Sequence, residues 1–140
     1  MFYLDTSAIV PLFLAESYTT AMQSWVDREA PVIILGDFAA AEFCATVSRH
    51  SRMAQISRKV AEATLADFDI WRGQVRQRMT SAADVARCER LVRDFRLKLS
   101  AADALHLATA IVERITLVTF DRRLAEASMV LNTPVIVPGR

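Results

Sequence analysis

The sequence predicts an α/β fold: a three-layer sandwich with a central, mainly parallel sheet of about five strands and helices on both faces. Two observations carry this. Four short apolar runs, "FYL" (2–4), "VIIL" (32–35), "TLVTF" (116–120) and "PVIV" (134–137), are rich in β-branched or aromatic residues and too short for helices. Segments of helical periodicity at 18–29, 38–50, 53–70, 82–95, 101–113 and 122–127 separate them. Strands alternating with helices imply parallel crossovers, which cover a sheet on both faces.

Taken in order, "FYL" is the first strand, and "DTSAIVPLFL" follows it. Pro11 falls beyond the first turn of any helix there and removes a backbone hydrogen bond, so that helix is expected to be short or kinked. "VIIL" leads into the helix 38–50, for which Asp37 is the candidate cap. "VRQRM" (75–79) alternates and is the candidate fifth strand. "TLVTF" and "PVIV" close the sheet around the helix 122–127. With 3 Gly and 4 Pro in 140 residues there is no linker or repeat, so residues 1–140 read as a single domain.

Net charge is +1, which advertises neither a nucleic-acid partner nor a membrane, but its distribution is uneven. Residues 49–98 carry 12 basic against 6 acidic residues, while the remainder is net −5. Fifteen of the seventeen basic residues are arginines, the side chain suited to forked phosphate contacts. The other reading of this region is a salt-bridged helical surface, with Glu89–Arg93 and Arg90–Asp94 at pairing distance. Cys44 and Cys88 lack metal-type spacing and read as free thiols in a reducing compartment. "MFYLD" has no basic leader and no apolar run approaches 18 residues, so a cytoplasmic location is expected. The hydrophobic fraction of 53% leaves apolar surface for a partner or a second copy. Trp25 and Trp71 read as core.

Four acids stand out. Asp5 and Asp121 end strands, where open parallel sheets bind ligands. Glu42 and Asp103 lie in early turns of otherwise apolar helices, "FAAAEFCATV" and "AADALHLATA". Each has an ordinary explanation: Asp5 and Asp121 as N-caps, Ser100-x-x-Asp103 as a capping box, Glu42 as a solvated helical residue. Jointly they form a set of carboxylates that would repel one another at one end of a sheet, unless a hard divalent cation such as Mg²⁺ or Mn²⁺ joined them. No His or Cys cluster competes for a softer metal, and His106 reads as a packed helix residue.

The segments "YLDTSAIV", "AAEFCATVSR", "LSAADALHLATA" and "LVTFDRRLAEA", in this order and spacing, resemble the PIN-domain ribonucleases, and among them the VapC toxins of type II toxin–antitoxin pairs. The resemblance runs from residue 2 to about residue 127. It implies an acidic site of Asp5, Glu42, Asp103 and Asp121, with Thr6 or Ser7 and Thr119 as supporting hydroxyls. It also implies a homodimer and an antitoxin that covers the site. Pro11 departs from the basic or polar residue common at that position in relatives, which puts the substrate groove or the dimer surface in question.

The mechanism expected from these residues is metal-assisted hydrolysis of RNA. Asp5 and Asp103 are the expected direct ligands of Mg²⁺ or Mn²⁺, with Glu42 and Asp121 acting through water or a second ion. Two other readings stand beside it. A non-catalytic interaction module on the same fold would account for the apolar surplus. An aspartyl phosphotransfer domain fits less well, because Ser7 occupies the place of a phosphatase's second aspartate, and a receiver's paired acids and lysine are missing.

Overall fold

The computed structural model describes residues 1–140. Its elements run β1 (Phe2–Leu4), α1 (Thr6–Phe13), α2 (Thr19–Glu29), β2 (Ile33–Gly36), α3 (Asp37–Arg52), α4 (Arg58–Arg72), β3 (Arg76–Arg78), α5 (Ala82–Arg93), α6 (Ala101–Glu113), β4 (Thr116–Val118), α7 (Arg122–Val130) and β5 (Val135–Ile136). The five strands form one sheet in the order β3-β2-β1-β4-β5. Every pairing is parallel, with Phe2 opposite Ile33 on one side of β1 and Leu4 opposite Val118 on the other.

Two-residue alternation divides the core. Leu4, Leu35 and Val118 face one layer, where they pack with Ile9, Trp25, Phe43 and Phe68 from α1–α4. Tyr3, Ile34 and Leu117 face the other, against Leu91, Leu107 and Leu124 from α5–α7. Because both faces are covered, the strands read in sequence as continuous apolar runs rather than as alternating ones. β3 is the exception: Arg76, Gln77 and Arg78 are polar, as an edge strand allows.

Several boundaries differ from the sequence reading, each for a local reason. The segment read as one helix over 53–70 begins at Arg58, because Ala54 adopts a left-handed conformation (φ 55°) and Ser57 caps α4 by accepting the Val60 N–H. The "TLVTF" strand stops at Val118; Thr119 still donates its N–H to Ile136 O at 3.1 Å, while its hydroxyl and the Phe120 N–H serve the site described below. α7 runs on to Val130. The first helix is short, eight residues with buried Pro11 inside it. Gly36, not Asp37, holds the N-cap position of α3; the Asp37 carboxylate accepts the Phe38 N–H in the first turn and also the N–H and hydroxyl of Thr80. Asp94 pairs with Arg96 rather than Arg90, whereas Glu89 and Arg93 pair as expected.

A buried ion cluster fastens β3 to the α5–α6 layer. Arg78 forks onto Asp84 through both terminal nitrogens, and its Nε donates to Glu113 at 2.9 Å. Asp84 has no solvent exposure and also completes a capping box with Ser81. Burial acts to raise its pKa, but hydrogen bonds from Arg78 and Ser81 outweigh that and hold the carboxyl below the usual carboxylate range.

Candidate active site

The strand order reverses direction at β1, with β2 on one side and β4 on the other, and this makes the carboxyl ends of β1 and β4 the switch point of the sheet. The Asp5 N–H donates to Val118 O at 3.2 Å and so ties the two strand ends together. Asp5 and Asp121 therefore leave adjacent strands at the same edge.

Asp5 is 4% exposed. Its Oδ1 accepts the Ala8 N–H at 3.0 Å, which caps α1, and the Ser7 hydroxyl at 2.8 Å. Its Oδ2 accepts the Thr119 hydroxyl at 2.7 Å. All three donors are neutral. Burial pushes the Asp5 carboxyl up from its ordinary value, and the nearby His106 and the hydrogen bonds of Thr119, Ser7 and Ala8 offset this only in part. A buried carboxylate served by neutral donors alone is a place where a cation would be strongly favoured.

Thr119 is the hub between two acids. Its hydroxyl accepts the Asp121 N–H at 2.9 Å while donating to Asp5. Ser7 Oγ accepts the Phe120 N–H at 2.8 Å, so the turn after β4 is fixed by the first residues of α1. Asp121 caps α7, its Oδ1 accepting the Leu124 N–H at 2.8 Å.

Glu42 lies one turn into α3 and is not a freely solvated residue. Its Oε2 accepts the Thr6 hydroxyl at 2.6 Å and lies 2.6 Å from His106 Nε2. An ionised carboxylate only accepts, so Nε2 carries the proton. Nδ1 of a neutral ring then accepts from the Tyr3 hydroxyl at 2.9 Å. Burial raises Tyr3 above the ordinary phenol range, and the Asp5 charge adds to this, so the hydroxyl remains a donor. Burial acts to raise Glu42 too, but the His106 and Thr6 hydrogen bonds prevail and leave it lowered. His106 is packed, as the sequence implied, and it also orients one of the four acids. The signal in the sequence was a polar residue on a helix face otherwise made of Ala and Leu.

Gly36 makes room for this chain of contacts. A Cβ there would meet the Tyr3 hydroxyl at 2.7 Å and its ring at 2.9 Å. Because Tyr3 is buried and hydrogen-bonded to His106, it cannot move aside cheaply. Gly36→Ala is therefore expected to destabilise the fold by about 1–3 kcal/mol in chemical denaturation, as overpacking does. Unchanged stability would show that Tyr3 has slack.

Asp103 stands apart from these chains. It completes a capping box with Ser100, whose hydroxyl meets Asp103 Oδ2 at 2.7 Å. As placed, no three carboxylate, imidazole or thiol groups of the chain converge tightly enough to hold an ion between them. The donor chemistry nonetheless fits a hard divalent cation. Glu42 Oε1, Asp103 Oδ1 and Asp121 Oδ2 accept nothing from the protein, each acid being anchored through its other oxygen.

A three-layer sandwich with Asp5 and Asp121 at the switch point of its central sheet defines a class. The sequence matches the family model of the PIN domain over residues 2–129, and the chain belongs to the PIN-domain family. Among solved structures its fold is similar to the VapC20 toxin of Mycobacterium tuberculosis, a sarcin-ricin loop cleaving toxin (TM-score 0.73, 20% identity, 91% of this chain and 95% of that one). It is equally similar to FitAcB of Neisseria gonorrhoeae (TM-score 0.73, 18% identity, 99% and 98%). VapBC2 of Rickettsia felis, bound to a promoter DNA fragment, follows at TM-score 0.72 and 20% identity over 97% and 98%. No curated protein sequence gives a significant match. No helix is long and apolar enough to cross a membrane.

Proposed function

We propose that the chain is a ribonuclease toxin that hydrolyses RNA phosphodiester bonds with the help of Mg²⁺ or Mn²⁺ and is restrained by a cognate antitoxin. The observation that carries this reading is the buried Asp5 carboxylate, served only by neutral donors at the β1–β4 switch point and coupled through Thr119 to Asp121. Membership of the PIN family and a fold shared with toxins of toxin–antitoxin pairs support it.

In this reading Asp5 and Asp103 would hold the ion directly, with Glu42 and Asp121 serving through water or a second ion. A divalent ion held there would supply charge neutralisation at the phosphoryl oxygens and a lowered water pKa. The chain's own groups do the positioning. Ser7 and Thr119 hold both oxygens of Asp5 in place, and Thr6 and His106 fix one oxygen of Glu42 and leave the other without a protein partner. The protein works as a homodimer in which apolar helix surface is covered by the second copy.

One observation favours a second reading, a binding module without catalysis: Asp103 already has a complete structural role in its capping box. Incubation of the purified chain with a mixed RNA pool separates the two. Cleavage that requires Mg²⁺ or Mn²⁺ and stops with EDTA is the expected result. Intact RNA after incubation with folded, metal-supplied protein free of any partner would favour the binding module.

A further inference from the structure

Two adjoining clefts run from the acidic edge along α3. One, of about 310 Å³, is lined by Thr6, Glu42, Thr46, Arg49 and Arg52. The next, of about 320 Å³, shares Thr6, Thr46 and Arg49 with it and adds Ser7, Val10, Tyr18, His50 and one carboxylate, Glu16. Neither Arg49 nor Arg52 forms an ion pair; Arg52 only donates to Ser48 Oγ at 2.8 Å. The helix dipole accounts for basic residues in the last turn of α3, but not for two unpaired guanidinium groups in a cleft that begins at Glu42.

Tyr18 closes the far end. Its ring stacks on Phe120 with centroids 4.4 Å apart and planes 12° from parallel, and Phe120 is the residue immediately before Asp121. Tyr18 is 46% exposed, its hydroxyl has no hydrogen-bond partner, and it makes no side-chain cap for α2. Phe120 is anchored by its own N–H on Ser7 Oγ. A large ring set on a fixed aromatic base, half in water and sharing its cleft with the unpaired Arg49, has the make-up of a nucleobase stacking platform.

Resting on the nuclease reading above, we propose that the Tyr18–Phe120 pair stacks an unpaired base of single-stranded RNA, while Arg49 and Arg52 hold the adjoining phosphates. This places the nucleotide beside the scissile bond and makes Tyr18 a determinant of which single-stranded positions are accepted. Duplex RNA, whose bases are already stacked on one another, offers no free face to the platform.

The test is an anisotropy titration of a short, labelled, random-sequence single-stranded RNA, with EDTA present so that it stays intact. Wild type is compared with Tyr18→Ala, Tyr18→Phe and Arg49→Gln, with melting temperatures as the folding check. Tyr18→Ala is expected to weaken binding by about five- to a hundredfold. Tyr18→Phe, which keeps the ring, stays close to wild type. Arg49→Gln lowers the slope of log affinity against log salt by about 0.7, the value for one lost phosphate contact on a single strand. Equal binding by wild type and Tyr18→Ala overturns the platform and leaves the nuclease reading to its own cleavage assay. Equal losses in Tyr18→Ala and Tyr18→Phe overturn stacking as the mechanism. A wild-type chain that binds no RNA overturns the platform, and the cleavage assay with Mg²⁺ or Mn²⁺ decides the nuclease reading separately.

Discussion

Asp5→Asn will abolish RNA cleavage and, without added metal, leave the fold as stable as wild type or more so. The loss in activity is expected to exceed a hundredfold, since removing even an outer-shell partner of a metal site typically costs about 10–100-fold. Stability is spared because the surrounding hydrogen bonds can be kept. An asparagine Oδ1 still accepts the Ala8 N–H and the Ser7 hydroxyl. Its amide then donates to Thr119 Oγ1, and the Thr119 proton turns to Ser7 Oγ, already 3.2 Å away. What disappears is a buried charge served by neutral donors.

The sign of the pH dependence follows. Asp5 titrates above its ordinary value in the folded chain, so the native state retains a proton that the unfolded state has released. Its contribution to stability therefore falls as pH rises from about 4, the ordinary aspartate value, through the folded pKa. The melting temperature of Asp5→Asn relative to wild type, measured in EDTA, should climb over that interval. A flat difference would mean that Asp5 is ionised at no cost, and that its surroundings do not favour a cation.

Arg78→Ala will destabilise the chain by about 3–5 kcal/mol, the usual consequence of stranding one partner of a buried ion pair. Arg78 is 11% exposed at its side chain and Asp84 not at all, so the variant leaves the Asp84 carboxylate in the interior without its cation. Here the pH sign is opposite to that of Asp5. Asp84 is held below the ordinary range in the wild type, so its stabilisation is present above about pH 4 and lost as pH falls through the lowered folded value. Urea denaturation of both proteins across acidic pH reads this directly. The gap between them should be wide near neutrality and narrow in acid. A loss below about 1 kcal/mol, as for an exposed pair, would show that the cluster is solvated.

The contrast between these two acids explains what could be read in the sequence. Asp5 and Asp121 were legible because a residue following a short apolar run in an α/β chain must lie at the ligand edge of the sheet. Glu42 and Asp103 were singled out by their apolar neighbours; the structure ties Glu42 to Thr6 and His106 and leaves Asp103 in its capping box with Ser100. The contacts that give these acids their character were not legible. His106 lies 64 residues from Glu42 and 103 from Tyr3, and only the packing of α6 across the sheet brings the three together. The Arg78–Asp84–Glu113 cluster was likewise hidden, because each charge on its own resembled the many exposed ones of the basic middle region. Helix boundaries failed where the chain used a backbone device, the left-handed Ala54 before the Ser57 cap, that leaves no mark on hydrophobic periodicity. Asp37 sits one residue inside α3 rather than at its cap, and its link to Thr80 was hidden because that residue is 43 positions away.

Asp103 decides between a metal site and a row of well-made caps. The most direct measurement is calorimetric titration of Mn²⁺ into metal-stripped protein, wild type beside Asp103→Asn, with melting temperatures recorded for both. Asparagine preserves the volume and can still accept at the Ser100 cap, so the fold should be unaffected. The expected result is Mn²⁺ binding by the wild type that weakens at least about tenfold in the variant, with unchanged melting temperature. Equal Mn²⁺ binding by both proteins, together with a lowered melting temperature in the variant, would contradict the metal site and leave Asp103 as a helix cap.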